Sequence, residues 1–86
     1  MDSTTKTYPA TVSAFLRRAG LNPLPSGTPR TREGIRVSRA LNGCTVIVDL
    51  DAPTAQHRLA DEVEEVLTSH GYSFNRNADI FTGVAR

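Results

Sequence analysis

Tryptophan is absent from this 86-residue chain, cysteine occurs once, and aromatic residues make up 6% of it. Lys6 is the only lysine, so the basic residues are nearly all arginine. Each shortage excludes something. With Cys44 alone, no disulfide closes within the chain and no cysteine cluster can hold a metal. Such usage suits a reducing compartment. The sparse aromatics are not interleaved with the arginines, so no stacking platform for bases is evident. His57 and His70 stand too far apart on one helix to share a metal, and neither has a Cys, a Ser or a second His at useful spacing. Ser26-Gly27-Thr28 is too poor in glycine to cradle a phosphate. These absences argue against an enzyme and against any cofactor or metal. No run is long or apolar enough to span a membrane. Residues 1–7 lack the apolar stretch of a secretory signal and read as a disordered polar tail, so the expected location is cytoplasmic.

What is present fits one domain over residues 8–86. A chain this short buries roughly 60–65% of its unfolded surface, which allows a single modest core and makes a homodimer a natural source of further burial. The net charge is +1, but it is unevenly placed. Seven basic residues face two acidic ones over 1–44, and three face seven over 45–86. The basic half suits an anionic partner, internal neutralisation, or head-to-tail pairing of two copies.

Two hairpins and two helices emerge along the chain. Pro9 opens the first helix with Thr7 or Tyr8 as cap, Val12, Phe15, Leu16 and Ala19 form its apolar stripe, and Gly20 ends it. Residues 21–34 carry three prolines and read as an extended surface loop. Gly34–Asp51 then alternates around Asn42-Gly43, the strongest short signal for a two-residue turn. That turn pairs Leu41 with Cys44, Arg39 with Val46, Val37 with Val48 and Ile35 with Leu50 on an apolar face. It sets Arg36 against Asp49 on the other face, as a cross-strand ion pair. A second helix starts at Pro53, capped by Asp51 or Ala52. Its stripe is Ala55, Leu59, Val63, Val66 and Leu67, His70 closes its last turn as a dipole partner, and Gly71 ends it. A weaker hairpin follows, turning near Asn77-Ala78, with Phe74 against Phe81 and Tyr72 over Gly83. The expected fold is α+β, a helix–hairpin–helix–hairpin (αββαββ) two-layer sandwich. Its four-stranded, mainly antiparallel sheet carries both helices on one face.

Two groups of residues are candidates for binding. Arg30, Arg32, Arg36 and Arg39, with Arg17 and Arg18 nearby, can form a basic patch for phosphates of a nucleic acid. Against this stand a pI near 8.0 and no recognised nucleic-acid motif. Arg39 projects from the apolar face, where it either snorkels to water at the sheet's end or meets a partner's carboxylate. Asp61, Glu64 and Glu65 lie on an acidic helix, either as a solvated face or as a contact for an arginine-bearing partner. The expected function is a non-enzymatic binding protein acting by protein–protein association. The open sheet edges or the acidic helix would be the contact, and the alternative is a nucleic-acid-binding module using the arginines.

Phe15-Leu16-Arg17-Arg18-Ala19-Gly20-Leu21-Asn22-Pro23, Arg32-Glu33-Gly34-Ile35-Arg36-Val37-Ser38 and the acidic helix into His70-Gly71-Tyr72 resemble small uncharacterised proteins of phages and prophages of high-GC actinobacteria. The arginine-rich, lysine-poor usage agrees. The resemblance implies a phage accessory protein in a bacterial host cell, bound to a host protein or to nucleic acid. Over Ala14–Gly27 the chain is also similar to the opening of HicA-type messenger-RNA interferase toxins. Those carry a catalytic His after a Gly-Ser in the loop-to-strand segment. Here Ser26-Gly27 runs into Thr28-Pro29-Arg30 and no His occurs before His57, so that activity does not transfer.

Overall fold

The structure, a computed structural model, describes residues 8–25, 27–29, 31–41 and 43–86. The tail read over 1–7, and Ser26, Arg30 and Asn42, lie outside the described residues. The fold is α+β, with two helices and a four-stranded antiparallel sheet. In chain order the elements are α1 (Pro9–Arg18), β1 (Gly34–Ala40), β2 (Gly43–Asp49), α2 (Pro53–Ser69), β3 (Ser73–Asn77) and β4 (Ile80–Ala85). The strands lie in the order β1-β2-β4-β3, which leaves β1 and β3 at the edges.

Both helices begin and end alike. Tyr8 and Ala52 are the N-caps, each followed by proline. At the C-termini Leu21 N–H donates to the Leu16 carbonyl and Tyr72 N–H to the Leu67 carbonyl, each at 3.0 Å. Gly20 N–H donates to the Arg17 carbonyl and Gly71 N–H to the Thr68 carbonyl. These pairs of bonds are Schellman terminators, which call for a glycine followed by an apolar residue. Phe15–Leu21 and Val66–Tyr72 therefore share one pattern, a helix ending on glycine before an apolar residue. His70, the C-cap residue of α2, stacks on Phe15 at 4.0 Å between ring centroids.

One core serves the whole molecule. Val12 and Leu16 of α1 and Ala60, Val63 and Leu67 of α2 are buried with Ile35, Cys44, Val46, Val48, Tyr72, Phe81 and Val84. The apolar stripes need two corrections. Ala19 and Ala55, expected inside, are exposed, whereas Ala60 is buried. Leu59 and Val66 pack only partly against the core.

The first hairpin keeps its faces but not its expected register. Ala40 pairs with Gly43, Val37 with Val46, Ile35 with Val48 and Arg36 with Ile47. The ladder therefore closes one residue earlier on β1 than expected, and each pair moves by two on β2. Leu41, expected on the apolar face, is fully exposed at the tip. Gly43 lies inside the ladder at φ +126°, and a Cβ there would sit 2.4 Å from the Val84 carbonyl oxygen. Close approach of β4 and the positive φ both call for glycine at this position.

The second hairpin turns at Ala78-Asp79, since Asn77 pairs with Ile80, so Arg76 rather than Phe74 stands opposite Phe81. Phe74 still meets Phe81 edge to face at 5.3 Å. Tyr72 does not lie over Gly83 in a regular ladder. The pairing of β4 slips against both neighbours around Gly83, which has φ +62°. An extra residue in the left-handed conformation is a G1-type bulge. It lets Phe81 and Val84, three apart, both face the core.

Candidate functional site

The loop over 21–34 is tied to the sheet, and the tie is Arg36. Its guanidinium donates to the carbonyl oxygens of Thr28 (2.8 Å), Pro29 (2.6 Å) and Arg32 (2.7 Å). Charged donors make the stronger hydrogen bonds, and three on one side chain close the loop over itself. Among the described residues Arg36 makes no ion pair with Asp49, the partner expected for it. The register places Asp49 opposite Gly34. Pro23 is buried, Leu21 packs on the core, and Leu24 lies over Gly34.

The loop also meets the outer edge of β1. Leu24 N–H donates to the Ile35 carbonyl at 2.8 Å. In an antiparallel ladder one residue's N–H and C=O point to the same side, and the side alternates along the strand. The main chain of Ile35 therefore faces away from β2, and so does that of Val37 and Arg39. The two-residue connection gives the same answer, because Ala40 and Gly43 close the ladder as a hydrogen-bonded pair. Among the described residues, no main-chain hydrogen bond from outside the hairpin reaches Val37 or Arg39. Among the described residues, covering by the loop stops after Ile35.

A groove of about 810 Å³ runs along this uncovered edge. Val37, Ser38 and Arg39 line it together with Arg36. Pro9, Ala10, Ser13 and Arg17 of α1 form one wall, and Leu24, Pro25, Gly27 and Thr28 of the loop form another. Ile47 and Asp49 complete it from β2. Among the described residues, three arginines thus share a groove with one carboxylate. Arg36 is committed to the loop carbonyls, while Arg17 and Arg39 are exposed. Arg39 is the arginine expected to leave the apolar face, and it does so at the rim of this groove. It stands close enough to Cys44 to oppose the effect of burial, which still pushes that thiol above its ordinary range.

The expected arginine group is therefore divided. Arg36 and Arg39 reach the groove from opposite faces of β1, the exposed Arg32 contributes its carbonyl to the Arg36 clasp, and Arg30 is outside the described residues. Arg17 joins Arg39, whereas Arg18 lies over the Phe15 ring at 5.9 Å. The acidic candidates are divided as well. Arg76 of β3 donates to Asp61 at 2.9 Å and to Glu64, and its Nε donates to the Ala78 carbonyl at 2.8 Å. Asp61 and Glu64 therefore clamp α2 to the second hairpin, while Glu65 is exposed.

The residue pattern pointed to open sheet edges and to Arg17, Arg36 and Arg39, but not to which edge carries a groove, because that belongs to strand order. Among the described residues no group of His, Cys, Asp or Glu can hold a metal ion. No described helix is long and apolar enough to cross a membrane. Against known protein families, curated proteins and solved structures, the chain matches none.

Proposed function

We propose that this chain is a small non-enzymatic binding protein that associates with another protein through the outer edge of β1. In this reading the fold is a two-layer αββαββ sandwich, with both helices on one face and the edge strand at its side. One observation carries the reading. The main-chain groups of Val37 and Arg39 point out of the sheet into a groove whose two walls are already built. An exposed edge is a template for a further strand, and main-chain hydrogen bonds supply the affinity when an extended segment adds to it.

The rival is nucleic-acid binding through the arginines. Arg17 and Arg39 sharing a groove favours it. The use of both terminal nitrogens of Arg36 by loop carbonyls, and Asp49 in the same groove, weigh against it.

The test is a selection of random peptides displayed against the immobilised protein, after a high-salt wash and a check of absorbance at 260 and 280 nm. Peptides should be enriched on the native chain and lost on Val37→Pro, which removes an outward N–H at a position where an edge strand tolerates proline. Circular dichroism would verify that the variant folds. An enriched peptide remade with N-methylated amides should also lose binding, a check independent of the variant's stability. A protein that enriches no peptide, yet retains nucleic acid at low salt and sheds it at high salt, would overturn the reading.

A further inference from the structure

The groove is charged unevenly, and this says what kind of segment it takes. Arg17, Arg36 and Arg39 face a single carboxylate, Asp49. With the Arg36 terminal nitrogens bound to Thr28, Pro29 and Arg32, the cations left exposed are Arg17 and Arg39. Among the described residues neither guanidinium makes an ion pair. Arg17 stands on the α1 wall and Arg39 on β1 itself. Both line the groove that an added strand at Val37 and Arg39 would enter.

We propose that the partner segment is an extended acidic peptide, added as a strand to β1, with its carboxylates paired to Arg17 and Arg39. The inference rests on the edge-binding reading above and adds the chemistry of the partner. Side chains of an added strand point alternately to the two faces of the sheet. One set faces the α1 side, where Arg17 stands beside the apolar Pro9 and Ala10. The other set faces the side of Arg36, Ser38, Ile47 and Asp49. On that second side the charges of Arg36 and Asp49 offset each other and the Arg36 terminal nitrogens are taken by loop carbonyls, so a carboxylate there gains no cation of its own. Acidic residues are therefore expected at every second position rather than in a continuous run. Apolar or hydroxyl residues would occupy the positions between.

The alternation separates this partner from a polyanion. A nucleic-acid backbone presents phosphates continuously and would bring them against Asp49. An alternating peptide keeps its charges on one side.

The peptide selection described above tests this once the enriched sequences are read. On the native chain, Asp or Glu should recur with a spacing of two. The best peptide should bind about tenfold more weakly to the double variant Arg17→Gln/Arg39→Gln, since two exposed charge pairs are lost and each contributes about threefold in affinity. Arg39→Lys should restore part of the loss. Selection repeated on Arg17→Glu/Arg39→Glu should enrich Lys or Arg instead. Enrichment without acidic residues, or binding unchanged in the Gln variant, would overturn the acidic partner while leaving the β1 edge as the contact. Failure of any peptide to enrich would overturn both. Fluorescent oligothymidylate provides a final arm. Oligothymidylate that binds the native chain and displaces the selected peptide would overturn the inference in favour of a polyanion.

Discussion

Glycine at position 43 is the residue on which the sheet depends most directly. Its missing side chain lets β4 approach β2, with the Val84 carbonyl in the place a Cβ would take. Gly43→Ala must move backbone, not a side-chain tip. The expected loss is about 2 kcal/mol or more in a denaturant melt. Gly83→Ala is a milder comparison: nothing crowds its Cβ, so only the left-handed backbone strain of about 1–2 kcal/mol applies. Equal losses at the two sites would contradict the close approach. Ala78 is the reverse case, an alanine at φ +58° in the second turn. Ala78→Gly should raise stability by about 0.5 kcal/mol, as relieved strain exceeds the entropy of the added glycine. Asn42-Gly43 shows how a residue-scale signal can be right about an element and wrong about its detail. The pair announced a hairpin, and a hairpin is there. Its register moved because Gly43 is needed within the ladder, a demand set by β4, some forty residues downstream.

At the scale of elements, helices were the most legible parts. Pro9 and Pro53 mark their starts, Gly20 and Gly71 their ends, and the stripes around Leu16, Val63 and Leu67 their buried sides. These signals are local, so sequence carries them. The G1-type bulge at Gly83 and the slot for Ala60 arise from pairing and packing between distant elements, and no period-two or period-3.6 pattern reports them. The loop over 21–34 was read as a surface loop from its prolines; the described residues of 21–33 carry no helix or strand, and Gly34 already belongs to β1. Its anchoring to β1 depends on Arg36, which sequence paired with Asp49 instead. Arg36→Gln should release the loop. Amide exchange at Thr28 and Arg32, whose N–H groups donate within the loop, should accelerate, while the β1–β2 amides stay protected. The expected cost in stability is about 1–3 kcal/mol, as charged hydrogen bonds are lost. Unchanged exchange at both residues would mean that Leu21, Pro23 and Leu24 hold the loop without the clasp.

For the whole molecule, the uneven charge of the two halves resolves only in part. The second half partly neutralises itself, because Arg76 binds Asp61 and Glu64. Arg17 and Arg39 of the first half remain at the groove. One further consequence concerns alkali. Cys44 and Tyr72 are buried in the single core, and burial pushes both groups above their ordinary values. The folded state thus holds these protons more tightly than the unfolded state. The resulting stability is intact below the unfolded thiol's value and is lost as pH rises beyond about 9. Thermal melts should show a falling midpoint from there upward, and Cys44→Ala should flatten the onset of that fall while lowering the midpoint at neutral pH. A midpoint independent of pH up to 11 or so would contradict the burial of both groups.

The most direct single measurement is residue-resolved amide hydrogen exchange along β1 in the native protein. Arg36 and Ser38 face β2 and should be protected. Val37 and Arg39 face the groove and should exchange at rates near those of an open chain. That alternation would establish an uncovered strand edge, the feature on which the proposed binding rests. Equal protection at all four residues would show that the edge is already covered, and the β1 groove would not be the binding site.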